Sequence, residues 1–406
     1  MRGQHRAVPR FEHVEFAGHG PWGSSHYARW IKAEHSDQRA GFARIFDGVT
    51  PTGETGAPEI SYNPIAREQY HTDWVADRTI GWLDSLDADD DWFCWMSFPD
   101  PHHPWDPPRS ERHRVNWRDL DLPPGHPGSA AKIRDILSAK PAHWLAWYDG
   151  RVPNIDAAPG NFVPANLTHN QMREILALIH IENELIDEAC GRVLRLIVDR
   201  GWDDDTDIFF TSDHGEFQGD LGLLYKGPYH VDALMRLPFI WRPAPSAAIA
   251  PAVVPEPVGQ LDLAPTCCAI AGTDVPSSMD GAPLPIAPDS DRERALCEWD
   301  SQLDTGFRLR SIIRDGWVCT AYEPSRLDRG LSAEDLLGMY GVPGPLERIR
   351  YHRTEGELYR LDEDPHQWSN RWDDAGLARL RSDLVADLYD NLPAPRISPL
   401  TVEAMA

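Results

Sequence analysis

The length, composition and charge of the chain exclude several classes of protein. Its 406 residues, 41% of them hydrophobic and 25% charged, are typical of a folded protein of two or three domains, or of one large α/β domain with an appendage. Collagen, coiled coil and wholesale disorder are excluded. Sixty-four acidic and 39 basic residues give a formal net charge of −25. This sign argues against binding to nucleic acid or to an anionic membrane surface.

The cysteines and the first residues predict a cytoplasmic protein. The six cysteines show no Cys-x-x-Cys spacing, so we expect buried free thiols rather than disulfides or a zinc ribbon. Residues 1–10 are basic, but no apolar segment follows them, and the chain contains no run of about eighteen apolar residues. The sequence as printed therefore predicts neither secretion nor a membrane span.

The first hundred residues predict helices followed by a strand. We expect a short helix around residues 27–33 and a longer one over 70–86, where apolar residues recur at helical spacing. The apolar run 92–98 predicts a buried strand. The proline-rich residues 99–108 then predict a rigid loop, because proline removes a backbone donor and favours extended neighbours.

The middle of the chain predicts an α/β unit. Residues 109–165 are expected to be irregular apart from a helix over Ala130–Ser138, and 168–200 show the longest amphipathic helical pattern. The apolar run 206–212 predicts a buried parallel strand that ends in Asp-His-Gly-Glu, residues 213–216. Ligands of open α/β sheets collect at the carboxyl ends of strands, so we expect a functional site there.

The C-terminal third predicts a small separate sheet. Strand-like pieces occur at 308–313, 317–322 and 358–361, and a helix is expected over 375–388 after a shorter one around 264–271.

The predicted fold is α/β, a mainly parallel sheet flanked by helices with a small C-terminal antiparallel-sheet subdomain. The predicted division is a large α/β domain over 1–289, a subdomain over 290–390 and a tail over 391–406.

Asp213 and His214 are candidate metal ligands. A carboxylate beside an imidazole at a strand end can face one ion if the chain turns at once, which Gly215 allows. The alternative is an ordinary capping aspartate beside a solvent-exposed histidine.

Lys226 and His102 are candidate catalytic residues. Lys226 precedes Gly227 and Pro228 in a glycine-rich loop, where it could act as a fixed cation for an anionic substrate; the alternative is a solvated surface lysine. His102 and its neighbour His103 lie in the proline-rich loop, where an imidazole suits proton donation to a leaving group. The alternative for them is a pair of surface histidines.

Several segments together resemble the sulfatase family of the alkaline-phosphatase superfamily. The segments Ser-Phe-Pro-Asp-Pro-His-His-Pro-Trp (97–105), Phe-Thr-Ser-Asp-His-Gly-Glu (210–216), Gly-Asp-Leu-Gly-Leu-Leu-Tyr-Lys-Gly-Pro (219–228) and Gly-Glu-Leu-Tyr-Arg-Leu-Asp-Glu-Asp-Pro (356–365) carry the resemblance. It runs in collinear order from about Tyr27 to Asn370. The adjacent Asp and His resemble the choline-sulfatase and phosphonate monoester hydrolase branches more closely than the arylsulfatases.

The resemblance implies roles for four residues. Asp213 and His214 would ligate one divalent metal, Lys226 would contact sulfate or phosphate oxygens, and His102 would assist the leaving group. Ca²⁺, Mn²⁺, Zn²⁺ and Fe²⁺ all stay open, although a donor set of Asp and His suits the last three better. The family also uses a formylglycine nucleophile.

The chain departs from the family in its nucleophile segment. The family's Cys/Ser-x-Pro-x-Arg pattern does not occur, since its nearest match around Pro324 and Arg326 has Tyr322 at the nucleophile position. Leu221 also stands where relatives commonly have a histidine. The resemblance also implies further metal carboxylates and a first sheet strand upstream of Tyr27, and neither is found there. We therefore expect the chain begun at Met1 to be poorly soluble and inactive, and a version extended upstream to be active.

The predicted function is metal-dependent hydrolysis of sulfate esters, by a sulfuric ester hydrolase. One alternative is the hydrolysis of phosphonate or phosphate esters, including phosphodiesters. Another is a truncated or non-catalytic sulfatase-like protein. The expected partner is a small-molecule sulfate or phosphonate ester, with no nucleic acid and no membrane, and a homo-oligomer is compatible with the sequence.

Overall fold

The computed structural model describes residues 11–46, 53–152, 162–288, 292–300, 307–324 and 349–393. The helices are α1 (His26–Glu34), α2 (Ser36–Phe46), α3 (His71–Asp84), α4 (Ala130–Ser138), α5 (His143–Tyr148), α6 (His169–Asp199), α7 (Asp232–Met235), α8 (Leu263–Ile270) and α9 (Ala378–Asn391). The strands are β1 (Ile208–Thr211), β2 (Phe217–Gln218), β3 (Leu224–Tyr225), β4 (Phe239–Arg242), β5 (Arg294–Asp300), β6 (Phe307–Arg314), β7 (Trp317–Pro324) and β8 (Gly356–Arg360).

The chain divides into two compact units. Unit 1 is formed mainly by Met1–Leu122 and Leu167–Thr206, and unit 2 by Pro123–Asn166 and Asp207–Thr401. The α/β class is confirmed, since helices and sheets both contribute.

Unit 1 is built around helices α3 and α6, which pack against each other. Helix α6 begins with a capping box in which the side chain of Thr168 accepts from the backbone of Gln171 and the side chain of Gln171 accepts in return. Its apolar face contributes Ile181 and Leu185 to a buried cluster. The same cluster contains Tyr27 of α1 and Trp74 and Val75 of α3. The predicted helices over 27–33, 70–86 and 168–200 are thus confirmed as α1, α3 and α6.

Residues 92–98 are not a buried strand, so that prediction is wrong. They pair with no strand among the described residues. Met96 and Phe98 pack against the core of unit 1, whereas Phe93 and Trp95 are 54% and 68% exposed. Exposure alternates along the segment, because one face packs against the core of unit 1 and the other meets solvent.

Strand β1 differs from the buried parallel strand predicted over 206–212. It pairs antiparallel with β4, in a register that places Phe210 opposite Ile240. Phe210 and Ile240 are 45% and 62% exposed, because within the described residues the sheet has only these two strands. The strand ladders among the described residues are antiparallel, and parallel pairing occurs there as two isolated bridges in unit 1.

The hairpin β2–β3 is enclosed by the aromatic core of unit 2. Trp144 and Trp147 of α5 pack with Phe217 of β2 and with Tyr229, which follows β3. Helix α4, predicted with the bounds that the structure has, adds Ile133 to the same core. This packing fixes the hairpin that leads to Lys226.

The C-terminal antiparallel sheet is confirmed. Its strand order is β5-β6-β7-β8, and the sequence predicted the last three strands but not β5. Helix α9 covers one face, where Leu384 and Leu388 contact a buried cluster that includes Ile312 and Leu358.

The expectation of free cysteines is confirmed, and their burial is only partial. Cys319 is buried, and the other five are half-buried. Within the described ranges, each helix is too short or too polar to cross a lipid bilayer.

Candidate active site

His102 lies in unit 1, in the loop that follows residues 92–98. Its Nδ1 donates to the carbonyl oxygen of His103 at 2.5 Å, and the two rings stack with centroids 4.1 Å apart. The loop is anchored by Trp105, which is fully buried and whose backbone N–H donates to the carbonyl oxygen of Glu59 at 2.8 Å. With a proton fixed on Nδ1, Nε2 is the nitrogen that exchanges a proton, as general acid–base chemistry requires.

Three residues that the sequence analysis missed lie beside His102. The ring of His19 is centred 5.7 Å from that of His102 and 5.3 Å from that of His71. His71 Nε2 is 2.6 Å and His19 Nε2 is 3.8 Å from the same oxygen, Oδ1 of Asp100. We call these three residues the His19–His71–Asp100 cluster. They are far apart in sequence. The one sequence feature that could have pointed to them is the position of Asp100, two residues before His102 in the predicted loop.

The surroundings of the cluster shift the pKa values of His19 and Asp100. Burial lowers the pKa of His19 to about 3, although the charge of Asp100 opposes this. Burial alone would raise the pKa of Asp100, but the charge of His71 and the hydrogen bonds from His71 and Thr72 bring it below its usual value. The result is the buried carboxylate of Asp100 next to the neutral imidazole of His19.

Asp213 and His214 follow β1 in unit 2, at the strand end where the sequence places them. Their side chains are 82% and 42% exposed, and His214 Nε2 lies 3.4 Å from Oδ2 of Asp213. His214 Nδ1 donates to the carbonyl oxygen of Gly215 at 2.9 Å, so Nε2 is the ring nitrogen with a lone pair available to a metal ion. Gln260 holds the backbone here, since its Nε2 donates to the carbonyl oxygens of Ser212 and Asp213 at 2.7 and 2.8 Å.

The turn after His214 requires glycine. A Cβ placed on Gly215 would lie 2.0 Å from the carbonyl oxygen of Ala233 and 2.8 Å from Cα of Leu234. The N–H of Gly215 donates to the carbonyl oxygen of Leu234 at 2.9 Å. The close approach of these two backbones therefore sets the direction in which Asp213 and His214 point.

Lys226 follows β3 and faces Glu216, which precedes β2. The register that pairs Phe217 with Tyr225 brings the two residues together at the open end of the hairpin, with Glu216 Oε2 3.7 Å from Lys226 Nζ. Burial raises the pKa of Glu216 to about 7, against the opposing charge of Lys226. Glu216 was absent from the predicted site, although it stands in the Asp-His-Gly-Glu motif.

The structure thus places Asp213, His214 and Lys226 in unit 2, where Glu216 lies 3.7 Å from Lys226 and feels the charge of Asp213. It places His102 in unit 1 with the His19–His71–Asp100 cluster.

The donor set of Asp213 and His214 fits part of a metal site. Two ligands of a tetrahedral metal with bonds of about 2.0–2.1 Å lie about 3.3 Å apart, close to the 3.4 Å between Oδ2 and Nε2. One carboxylate and one imidazole supply two of the ligands that a divalent ion needs.

Comparisons with known proteins identify the family of the chain. The Sulfatase family model matches residues 19–273, more than half of the chain. The chain is 27% identical over 326 residues to the uncharacterised sulfatase YidJ of Escherichia coli (strain K12), covering 79% of this chain and 56% of YidJ. It is 24% identical over 340 residues to the multifunctional alkaline phosphatase superfamily protein PehA of Trinickia caryophylli, covering 82% of this chain and 62% of PehA. The chain therefore spans little more than half the length of these relatives.

A solved structure supports the fold. The phosphonate monoester hydrolase of Agrobacterium radiobacter superimposes with a TM-score of 0.67 at 21% sequence identity, covering 90% of this chain and 68% of that enzyme. This likeness confirms the predicted alkaline-phosphatase-like α/β fold. Together with the match of the family model, the motifs at 97–105, 210–216 and 219–228 establish that the chain belongs to the sulfatase family.

Proposed function

We propose that this chain carries the metal-binding and anion-binding residues of a hydrolase that acts on sulfate esters. The observation that carries the proposal is the 3.4 Å separation of Asp213 Oδ2 and His214 Nε2, which is the spacing of two ligands on one ion. Membership of the sulfatase family makes sulfate esters the first substrate class to test.

Each proposed residue has a distinct task. A divalent ion held by Asp213 and His214 would supply positive charge to the sulfuryl oxygens. Lys226 would bind non-bridging oxygens of the same group, because an ammonium fixed by a hairpin stabilises developing negative charge without rearranging. His102 would give a proton from Nε2 to the departing alcohol oxygen. No residue is assigned as the nucleophile.

Phosphonate or phosphate monoesters are a second candidate substrate class. Two observations favour them: the adjacent Asp213 and His214, which resemble the phosphonate monoester hydrolase branch, and the relationship to the multifunctional PehA. A phosphonate monoester presents a tetrahedral anion with similar oxygens, so the same cationic groups would serve it.

A substrate comparison tests the proposal. Protein expressed from its own gene in its own host is assayed with an aryl sulfate and with an aryl phosphonate monoester. We expect turnover of the sulfate, and Lys226→Ala and His102→Ala should each lower kcat by ~10²-fold or more while the Tm is unchanged. The matched control is Lys132→Ala, an exposed lysine of α4. Faster turnover of the phosphonate would favour the second candidate, and equal rates in wild type and Lys226→Ala would contradict both.

A further inference from the structure

The His19–His71–Asp100 cluster has a geometry that the proposed sulfatase chemistry does not use. Among the described residues, it is the one group of three or more His, Cys, Asp or Glu side chains whose ligand atoms all lie within 4.8 Å of one another. We propose that it is a second metal site, contained in unit 1, that binds Zn²⁺ through His19, His71 and a carboxylate oxygen of Asp100.

The two distances from the histidines to Asp100 lie on either side of the spacing between two ligands of a zinc ion. Ligand atoms on one tetrahedral Zn²⁺ lie about 3.3 Å apart. His71 Nε2 and His19 Nε2 lie 2.6 and 3.8 Å from Oδ1 of Asp100. Movements of less than about 1 Å would therefore bring each of these two distances to the spacing of ligands on one zinc ion. The hydrogen bond between His71 and Asp100 would be replaced by bonds from both residues to the same ion.

The charge of the surroundings favours a cation. The side chains of His71 and Asp100 are fully buried, and His19 is 16% exposed. Burial, followed by the charge of Asp100, raises the pKa of Asp106 and of Glu182 well above the ordinary values. A divalent ion would place more positive charge beside these three buried carboxyl groups than His71 alone supplies.

The residues around the three ligands are also those of a metal site. Oδ2 of Asp100 accepts from Oγ1 of Thr72 at 2.7 Å, a contact that would hold the carboxylate while Oδ1 coordinates. Two imidazoles and a carboxylate leave a fourth position for water, as in zinc enzymes. The alternative to a metal ion is the present hydrogen bond between His71 Nε2 and Asp100 Oδ1.

A metal at this position would have a structural consequence for His102. It would tie the loop that carries Asp100 and His102 to the first residue of α3 and to His19. The ion would thereby act as a positioning element for the proposed proton donor. This consequence rests on the proposed function, but the binding of zinc does not.

Metal binding is measured in a chain that lacks the other site. The full chain with Asp213→Ala and His214→Ala is stripped with a chelator and titrated with Zn²⁺ and Co²⁺ against a competing chelator that removes weakly held ions. We expect one equivalent of bound metal and the intense visible absorption of four-coordinate Co²⁺. Adding Asp100→Asn or His71→Gln should abolish both signals, whereas the exposed control His113→Gln should keep them.

Each outcome decides the proposal independently of any sulfatase activity. No bound metal in the starting protein, or an unchanged stoichiometry after Asp100→Asn, would overturn it. If the buried substitutions unfold the chain, His19→Gln at the partly exposed ligand replaces them, with circular dichroism as the check of folding. X-ray absorption on the zinc-loaded protein should show two imidazole ligands, and their absence would also overturn the proposal.

Discussion

The carboxylate of Glu216 lies 3.7 Å from the ammonium of Lys226 at the open end of the β2–β3 hairpin. The two residues are ten positions apart in the chain, and the pairing of Phe217 with Tyr225 brings them together. The cation proposed to bind the substrate therefore has a built-in counter-ion that competes with a sulfate group.

Changing this pair should alter anion binding in opposite directions. Lys226→Ala should weaken the binding of inorganic sulfate by ~10-fold or more, because a hydrogen bond to a charged group is worth about 1.5–3 kcal/mol. At pH 8, where the Glu216 carboxyl is mostly ionised, Glu216→Gln should tighten binding several-fold, since it removes the competing negative charge. Isothermal titration with sulfate measures both. Weaker binding in Glu216→Gln would mean that the carboxylate positions Lys226 rather than competing with the ligand.

Gly215→Ala should damage the turn that directs Asp213 and His214. The new Cβ would meet the carbonyl oxygen of Ala233 at 2.0 Å, so the backbones must separate, at a cost of about 1–3 kcal/mol. The matched control is Gly81→Ala in α3, where no atom lies within 4 Å of the added Cβ. That change should stabilise the helix by ~1 kcal/mol. Thermal unfolding distinguishes the two, and equal Tm values would contradict the assignment of Gly215.

The buried ion pair of Lys140 and Glu357 should show strong coupling. Lys140 Nζ lies 3.4 Å from Glu357 and donates to the carbonyl oxygen of Gln367 at 2.7 Å. Lys140→Met or Glu357→Leu alone should cost about 3–5 kcal/mol, because the remaining charge is left buried without its partner. The double variant should lose much less than the sum of the single losses. Urea unfolding of all four proteins measures the coupling, and simple additivity would contradict it.

His230 should make the free energy of unfolding depend on pH. Burial lowers the pKa of His230 to about 4, and its Nδ1 lies 2.7 Å from Oγ of Ser311. Since the folded pKa is below the unfolded value of about 6.5, the stabilisation is complete above that value and is lost as the pH falls towards 4. The loss amounts to about 3 kcal/mol.

The variant His230→Asn, which can still meet Ser311, should show a shallower decline of the free energy of unfolding over this range of pH. Denaturant titrations at several pH values test this. His113→Asn, at an exposed position, is the control. A decline in His230→Asn as steep as that of wild type would assign the pH dependence to other groups.

The sequence predicted best the elements whose signal is local. Helix α6 has a capping box and a long apolar stripe, and α4 begins at a serine cap, so both were predicted within one residue. The predictions for residues 92–98 and for β1 were wrong in burial or in strand pairing. An apolar run in the sequence does not indicate how many neighbouring strands will cover it. Strand β5 was missed because its side chains are half-exposed and carry no clear alternation.

The candidate site residues also divide into those with a local sequence signal and those without one. Asp213, His214, Lys226 and His102 could be chosen because each stands in a short motif. The His19–His71–Asp100 cluster could not, since only the folded chain brings together side chains separated by more than fifty and nearly thirty positions.

The dependence of sulfate-ester hydrolysis on an ion held by Asp213 and His214 is tested most directly by one measurement. The rate of sulfate release from an aryl sulfate is followed against Mn²⁺ concentration, in protein expressed from its own gene and in its Asp213→Ala variant. We expect saturable activation of the wild type, and a rate at least ~10²-fold lower in the variant at every concentration. Equal rates and equal Mn²⁺ dependence in the two folded proteins would contradict the assignment of the metal site.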